Sequence, residues 1–143
     1  MNIEVRFYSR GGNTKKVAEA VAKAANTSAK DCSAPITEPV DLLFLGGSVY
    51  GFGLDENTKN YIQSLTPAYV KNVALFGTSA IVKTGNPGMA KLLSEKGIPV
   101  LENSFYCRGE FTFMHKGRPN DTDLKKAADF AAAAVKSIQD GGK

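Results

Sequence analysis

Between Tyr8 and Lys15 the chain reads Ser9-Arg10-Gly11-Gly12-Asn13-Thr14, which places two hydroxyls, an amide and a guanidinium around a pair of glycines. An apolar strand-like run, Ile3 to Tyr8, precedes it, and an alanine-rich helical run, Val17 to Ala25, follows. A strand, a short turn and a helix start in that order suit anion binding. The first backbone N–H groups of the helix have no intrahelical partner, and the positive end of its dipole lies at the carboxyl end of the strand. Gly11 and Gly12 let the backbone approach a phosphate, while Ser9, Asn13 and Thr14 can donate from their side chains.

Three other stretches carry residues of interest. Gly47-Ser48-Val49-Tyr50-Gly51-Phe52-Gly53 sets glycines around two aromatics at a strand end. Thr78-Ser79 closes another strand, and Phe105-Tyr106-Cys107-Arg108-Gly109 leads into a long polar exit up to Asn120. Cys32 and Cys107 form neither a metal nor a redox spacing. Other chemistries of small α/β domains are absent. No acidic pair follows the first strand, no Lys-Ser/Thr P-loop is present, and neither cysteine has an arginine six residues on, where Glu38 and Phe113 stand.

The elements needed to position these residues alternate between strand and helix, which predicts a doubly wound α/β domain over residues 1–143 with a parallel sheet. A helix over about 13–25 buries Val17, Val21, Ala24 and Ala25. Strands follow at Ser28–Cys32, Val40–Gly46, Val73–Gly77 and about Val100–Cys107. A helix burying Tyr61, Ile62 and Leu65, another from Pro87 burying Met89, Leu92 and Leu93, and a last one capped by Asp121 complete five strands and four helices. Two prolines within Ser33 to Pro39 forbid a crossover helix, so the second and third strands are joined by a loop. That bears on Glu4 and Arg6, which alternate with Ile3, Val5 and Phe7. They reach solvent if nothing covers that face, or pair with each other or with neighbours if it is partly covered.

Composition bounds the function. The 143 residues are 43% hydrophobic and 22% charged, ordinary for a globular chain. No apolar run approaches the ~20 residues of a membrane span and no signal-peptide pattern opens the chain, so a cytoplasmic location without membrane contact is expected. The net charge of +4 is a mild lysine excess without a block or an aromatic-interleaved stripe, which argues against nucleic acid.

The S-x-G-G-N-T turn, the glycine–aromatic loop after the third strand and the aromatic-rich exit of the fifth together resemble the flavodoxin family, in a bacterial flavodoxin-like branch. The resemblance spans essentially the whole chain. It implies the strand order 2-1-3-4-5 with FMN at the switch point between strands 1 and 3, a placement for which flavodoxin itself is a standard case. The phosphate would be bound by Ser9, Gly11, Gly12, Asn13 and Thr14, with Arg10 a nearby cation. The ring would lie between Tyr50, backed by Phe52, and Phe105 or Tyr106, with Gly51 or Gly53 supplying a peptide that reorients towards it. Ser48, Val49, Thr78, Ser79, Cys107, Arg108 and Gly109 complete the implied site. The family usually has Thr or Ser where Gly11 stands; a lost donor to a charged acceptor is worth about 1.5–3 kcal/mol, or about tenfold to a hundredfold in affinity.

The function this implies is a monomeric one-electron carrier working between a reductase and an acceptor enzyme, with no catalytic residue and no metal of its own. An FMN-dependent NAD(P)H:quinone or flavin reductase is the alternative. Arg10, Lys83, Arg108, Lys116 and Arg118 would then meet the nicotinamide cofactor's phosphates. A third reading is a flavodoxin-fold module that no longer holds FMN. His115, the sole histidine, reads as an exposed imidazole.

Overall fold

The computed structural model describes residues 1–9, 12–50, 53–79, 86–109 and 116–141, with no side-chain environment for 48–50, 53 and 79. Its elements are β1 (Ile3–Phe7), α1 (Asn13–Ala24), β2 (Ala29–Asp31), β3 (Leu42–Tyr50), β4 (Gly53–Leu54), α2 (Glu56–Ser64), β5 (Val73–Ser79), α3 (Asn86–Glu95), β6 (Phe105–Arg108) and α4 (Asp121–Gln139). Five strands pair in parallel in the order β2-β1-β3-β5-β6. With the two-residue β4 set aside, this is the order 2-1-3-4-5. The chain turns from β1 to one edge and then crosses back to build the other side from β3, so the switch point lies between β1 and β3.

Alternation along the strands makes two cores. Val5, Phe7, Leu42, Phe44, Ala74 and Phe76 meet Val17, Ala18 and Val21 of α1 and Ala127, Ala131 and Ala134 of α4. On the other face Leu43, Leu45, Val73 and Leu75 meet Tyr61 and Ile62 of α2 and Met89 and Leu93 of α3. α1, α3 and α4 each follow a parallel strand, and α2 follows β3 by way of the two-residue antiparallel β4, so the helices start from the carboxyl edge of the sheet.

Arg6 does not reach solvent. It is 3% exposed. Its guanidinium donates to Glu4 Oε1 at 2.7 Å, to the Ala34 carbonyl at 2.9 Å and to the Pro35 carbonyl at 3.2 Å. The helix-free connection therefore covers this face, and the buried cation ties it down. Beneath it, burial above all pushes the Cys32 thiol and the Tyr61 phenol up to about 12 each.

Three boundaries differ from the sequence reading. Val40 makes only an isolated bridge to Val70, while β3 runs on to Tyr50 because its end pairs with β5 and folds back on β4, Val49 opposite Leu54 and Tyr50 opposite Gly53. The stretch expected as one strand from Val100 touches the sheet at Val100 and rejoins it at Phe105, because the polar Glu102, Asn103 and Ser104 stay exposed between. Asn120, and not Asp121, caps α4: its side chain accepts from the Asp123 N–H while Asp123 accepts from the Asn120 N–H, both at 2.9 Å.

Candidate functional site

The turn between β1 and α1 is shaped by Gly12, whose φ of +92° is a left-handed conformation that residues with a Cβ rarely adopt. Gly12 is the N-cap of α1, and its N–H donates to Ser9 Oγ at 3.0 Å. No side chain caps the helix and no acid occupies its first turn. The contrast with α2 and α4 is direct. Asp55 accepts from the Asn57 N–H at 2.8 Å beside Glu56, and α4 carries its capping box together with Asp121. Those two helix ends carry their own negative charge, whereas the first turn of α1, at the switch point, carries none.

Thr14 is fully buried, and its Oγ1 lies 2.8 Å from Thr78 Oγ1. The hydroxyl pair joins the first turn of α1 to the end of β5. Gly109 approaches from the exit of β6, where a Cβ would stand 2.6 Å from Asn13 Nδ2, so only glycine lets that backbone close on the loop. A Cβ at Gly77 would stand 2.9 Å from the Gly47 carbonyl oxygen and 3.1 Å from Asn86 Oδ1. Asn86 Nδ2 donates to the Phe105 carbonyl at 2.9 Å, tying the start of α3 to β6. Ser9, Gly12, Asn13, Thr14, Thr78 and Gly109 thus come together at one end of the sheet. Sequence reading missed Asn86, although an Asn before Pro87 at a helix start is a signal that could have found it.

The β6 strand sorts its own side chains. Phe105 turns inward and packs on Phe130 with ring centroids 6.1 Å apart. Phe105 stays half-buried, whereas Cys107 is buried, and burial first, with Asp123 adding and Arg118 opposing, pushes its thiol up to about 12. Tyr106 and Arg108 alternate with them and are half-buried, the guanidinium 5.6 Å from the Tyr106 ring centroid. Of the two aromatics expected to cover a ring from this strand, Tyr106 therefore has its surface at the rim. Arg118 is committed elsewhere. It forms a two-pronged pair with the buried Asp123 carboxylate. Burial alone would raise Asp123, but the Arg118 bond and the Asn120 N–H outweigh it and hold the carboxyl below its usual range.

Arg10, Gly11, Gly51 and Phe52, together with Lys83 and His115, lie outside the described residues, as do the side chains of Ser48, Val49, Tyr50 and Ser79. The backbone of β3 and β4 still places Tyr50 and Gly53 as a pair at the carboxyl edge. Among the described residues there is no group of His, Cys, Asp and Glu that could hold a metal, and no helix is long and apolar enough to cross a membrane.

No family model matches the chain. An uncharacterized protein of Methanocaldococcus jannaschii is 24% identical over 139 residues, covering 87% of this chain and 91% of that one. Among solved structures, a flavodoxin from the domain Archaea superposes with a TM-score of 0.80 at 17% identity, covering 97% of this chain and 99% of its own. Flavodoxin 2 from Bacillus cereus gives 0.73 at 16% identity over 95% and 99%. The Flv1 flavodiiron core from Synechocystis gives 0.76 at 12% identity, where this chain matches only 36% of the larger protein. The chain has the flavodoxin-like fold.

Proposed function

Starting from that fold, we propose that the chain binds FMN non-covalently and serves as an electron-transfer protein between a reductase and an acceptor. The observation that carries the reading is the start of α1 at the β1/β3 switch point, where Gly12 is left-handed and, among the described residues, no side chain caps the helix and no acid stands in its first turn. Those features fit a phosphate monoester. Ser9, Gly12 and Asn13 would hold it, with Arg10 and Gly11 completing the loop. Thr14 is a positioning residue in this reading, because its buried hydroxyl reaches Thr78 and fixes the first helical turn beneath the anion.

FMN, when bound, supplies reversible electron uptake. The chain's own residues bind, orient and shield. Tyr106 would cover one side of the ring, and the β3–β4 hairpin with Tyr50 and Phe52 the other, since a flat aromatic covers a flat ring at little entropic cost. Asp55 does not act on the cofactor in this account, because its carboxylate is engaged with the α2 backbone. The reductase alternative is weakened by Arg118, one of the five cations it called on, which is committed to Asp123.

The visible spectrum of the purified protein tests the proposal. Flavin bands released as free FMN on heating, or uptake of added FMN by the colourless protein, are the expected results. A colourless protein that refuses FMN refutes it and leaves the flavodoxin-fold module that holds no flavin. Saturable bleaching of the bands by NADPH would move the protein from carrier to reductase.

A further inference from the structure

The carboxyl edge of the sheet is electrically lopsided. On the α1/α4 layer Lys15 and Lys16 are exposed in the first turn of α1, Lys116 is exposed in the approach to α4, and Lys126 is exposed near the start of α4. Several acids of this layer are already matched: Asp123 by Arg118, and Asp129 by Lys125 at 3.7 Å. Asp140 is matched by Lys136 at 3.1 Å, which leaves Glu19 and Asp121 as the exposed acids outside these ion pairs among the described residues of α1 and α4. Across the edge, α2 begins with Asp55 and Glu56. Among the described residues the rim around the candidate site is therefore positive on the α1/α4 side and negative on the α2 side.

Resting on the electron-carrier reading, we infer that the α1/α4 side of this rim is the docking face for an acidic redox protein. A carrier must bring its partner to the rim of its cofactor site. Like charges placed face to face there are repulsive, while complementary fields raise the association rate and orient the encounter. The polarity of the rim supplies the orientation: an acidic partner is drawn to Lys15, Lys16 and Lys126 and turned away from Asp55 and Glu56. Lys15-Lys16 and Lys126 are followed along their helices by Val17 and Ala127 and not by exposed aromatics, which favours a protein over a nucleic acid.

The test is binding of the whole protein to an immobilised acidic [2Fe–2S] ferredoxin, read as bound mass and so independent of any bound flavin. K15E/K16E is compared with K59E/K91E, which makes the same change in net charge on the exposed surfaces of α2 and α3. Acids in the first turn of a helix are stabilising, so K15E/K16E retains its fold. The expected result is binding at low salt that vanishes at ~1 M salt, where the Debye length is about 3 Å. K15E/K16E should bind about tenfold more weakly, and K59E/K91E within about twofold of the parent. Equal weakening by both variants, no binding by the parent, or tighter binding to duplex DNA than to ferredoxin overturns the inference. A colourless protein that still binds through Lys15 and Lys16 supports the docking face while removing the flavin reading.

Discussion

Removing Glu4 alone should damage the fold more than removing Glu4 and Arg6 together. In the parent, Arg6 is 3% exposed and its charge is answered by one carboxylate at 2.7 Å, while the Ala34, Pro35 and Val5 carbonyls also accept from the guanidinium. Breaking a buried pair by deleting one partner costs about 3–5 kcal/mol. The Glu4 side chain is 26% exposed and the two loop carbonyls remain, so Glu4→Ala should cost about 2–3 kcal/mol. Glu4→Leu with Arg6→Met removes both charges. Ala34 and Pro35 are not buried and their carbonyls can turn to water, so the double variant should lie within about 1 kcal/mol of the parent. Urea unfolding at neutral pH measures this, as a shift in midpoint at constant slope. A loss below about 0.5 kcal/mol for Glu4→Ala, or a double variant that loses the sum of the singles, would show that the pair does not hold the connection.

Gly46→Ala should cost about 3 kcal/mol, because its Cβ would fall 2.1 Å from the Phe76 ring in a strand paired on both sides. In a Phe76→Ala background the same methyl fills a cavity and should stabilise by about 1 kcal/mol, a change of sign that calorimetry can check. Cys32 and Cys107, both with thiols near 12, should resist iodoacetamide at pH 8 in the folded protein and react once urea unfolds it. Rapid native alkylation would contradict the burial of Cys107 and the partial burial of Cys32. Asp123 contributes stability that is complete above its unfolded value of about 3.8 and is lost as pH falls through its lower folded value. Asp123→Asn should therefore cost about 2 kcal/mol at pH 7 and flatten the acid limb of a stability–pH curve; an unchanged limb would show that another carboxyl governs it.

The helices and the parallel architecture were legible because α1 and α4 carry an apolar stripe wide enough to be read from spacing alone. The missing crossover helix was legible from Pro35 and Pro39. Strand ends were less so, because pairing decides them. β3 continues to Tyr50 only because β5 and β4 lie alongside, and no local pattern at Gly46-Gly47 says so. Asn120 and Asp121 are both good caps in isolation, and the reciprocal bonds with Asp123 settled the choice. Within the site, Phe105 and Tyr106 stood as alternatives, and the alternation along β6 turns them to opposite faces. Which one turns inward depends on Phe105 lying opposite Phe76. The fate of Arg6 was hidden for the same reason: its partners at Ala34 and Pro35 are 28 and 29 residues away.

The connection from β2 to β3 also has a length that can be weighed mechanically. Residues 32–41 must carry the chain from the top of one parallel strand to the foot of another two places across. Ten extended residues reach at most about 33–36 Å. A five-residue strand rise of about 17 Å combined with two strand spacings of about 10 Å needs roughly 20 Å as a straight line. The connection is a strap with a few residues of slack, fastened midway by Arg6. Insertions should loosen it harmlessly, whereas deleting about four residues would draw it tight. Its tension would fall first on β2, a three-residue edge strand that pairs with β1 alone, so a pull on the strap should peel that edge before it disturbs the rest of the sheet.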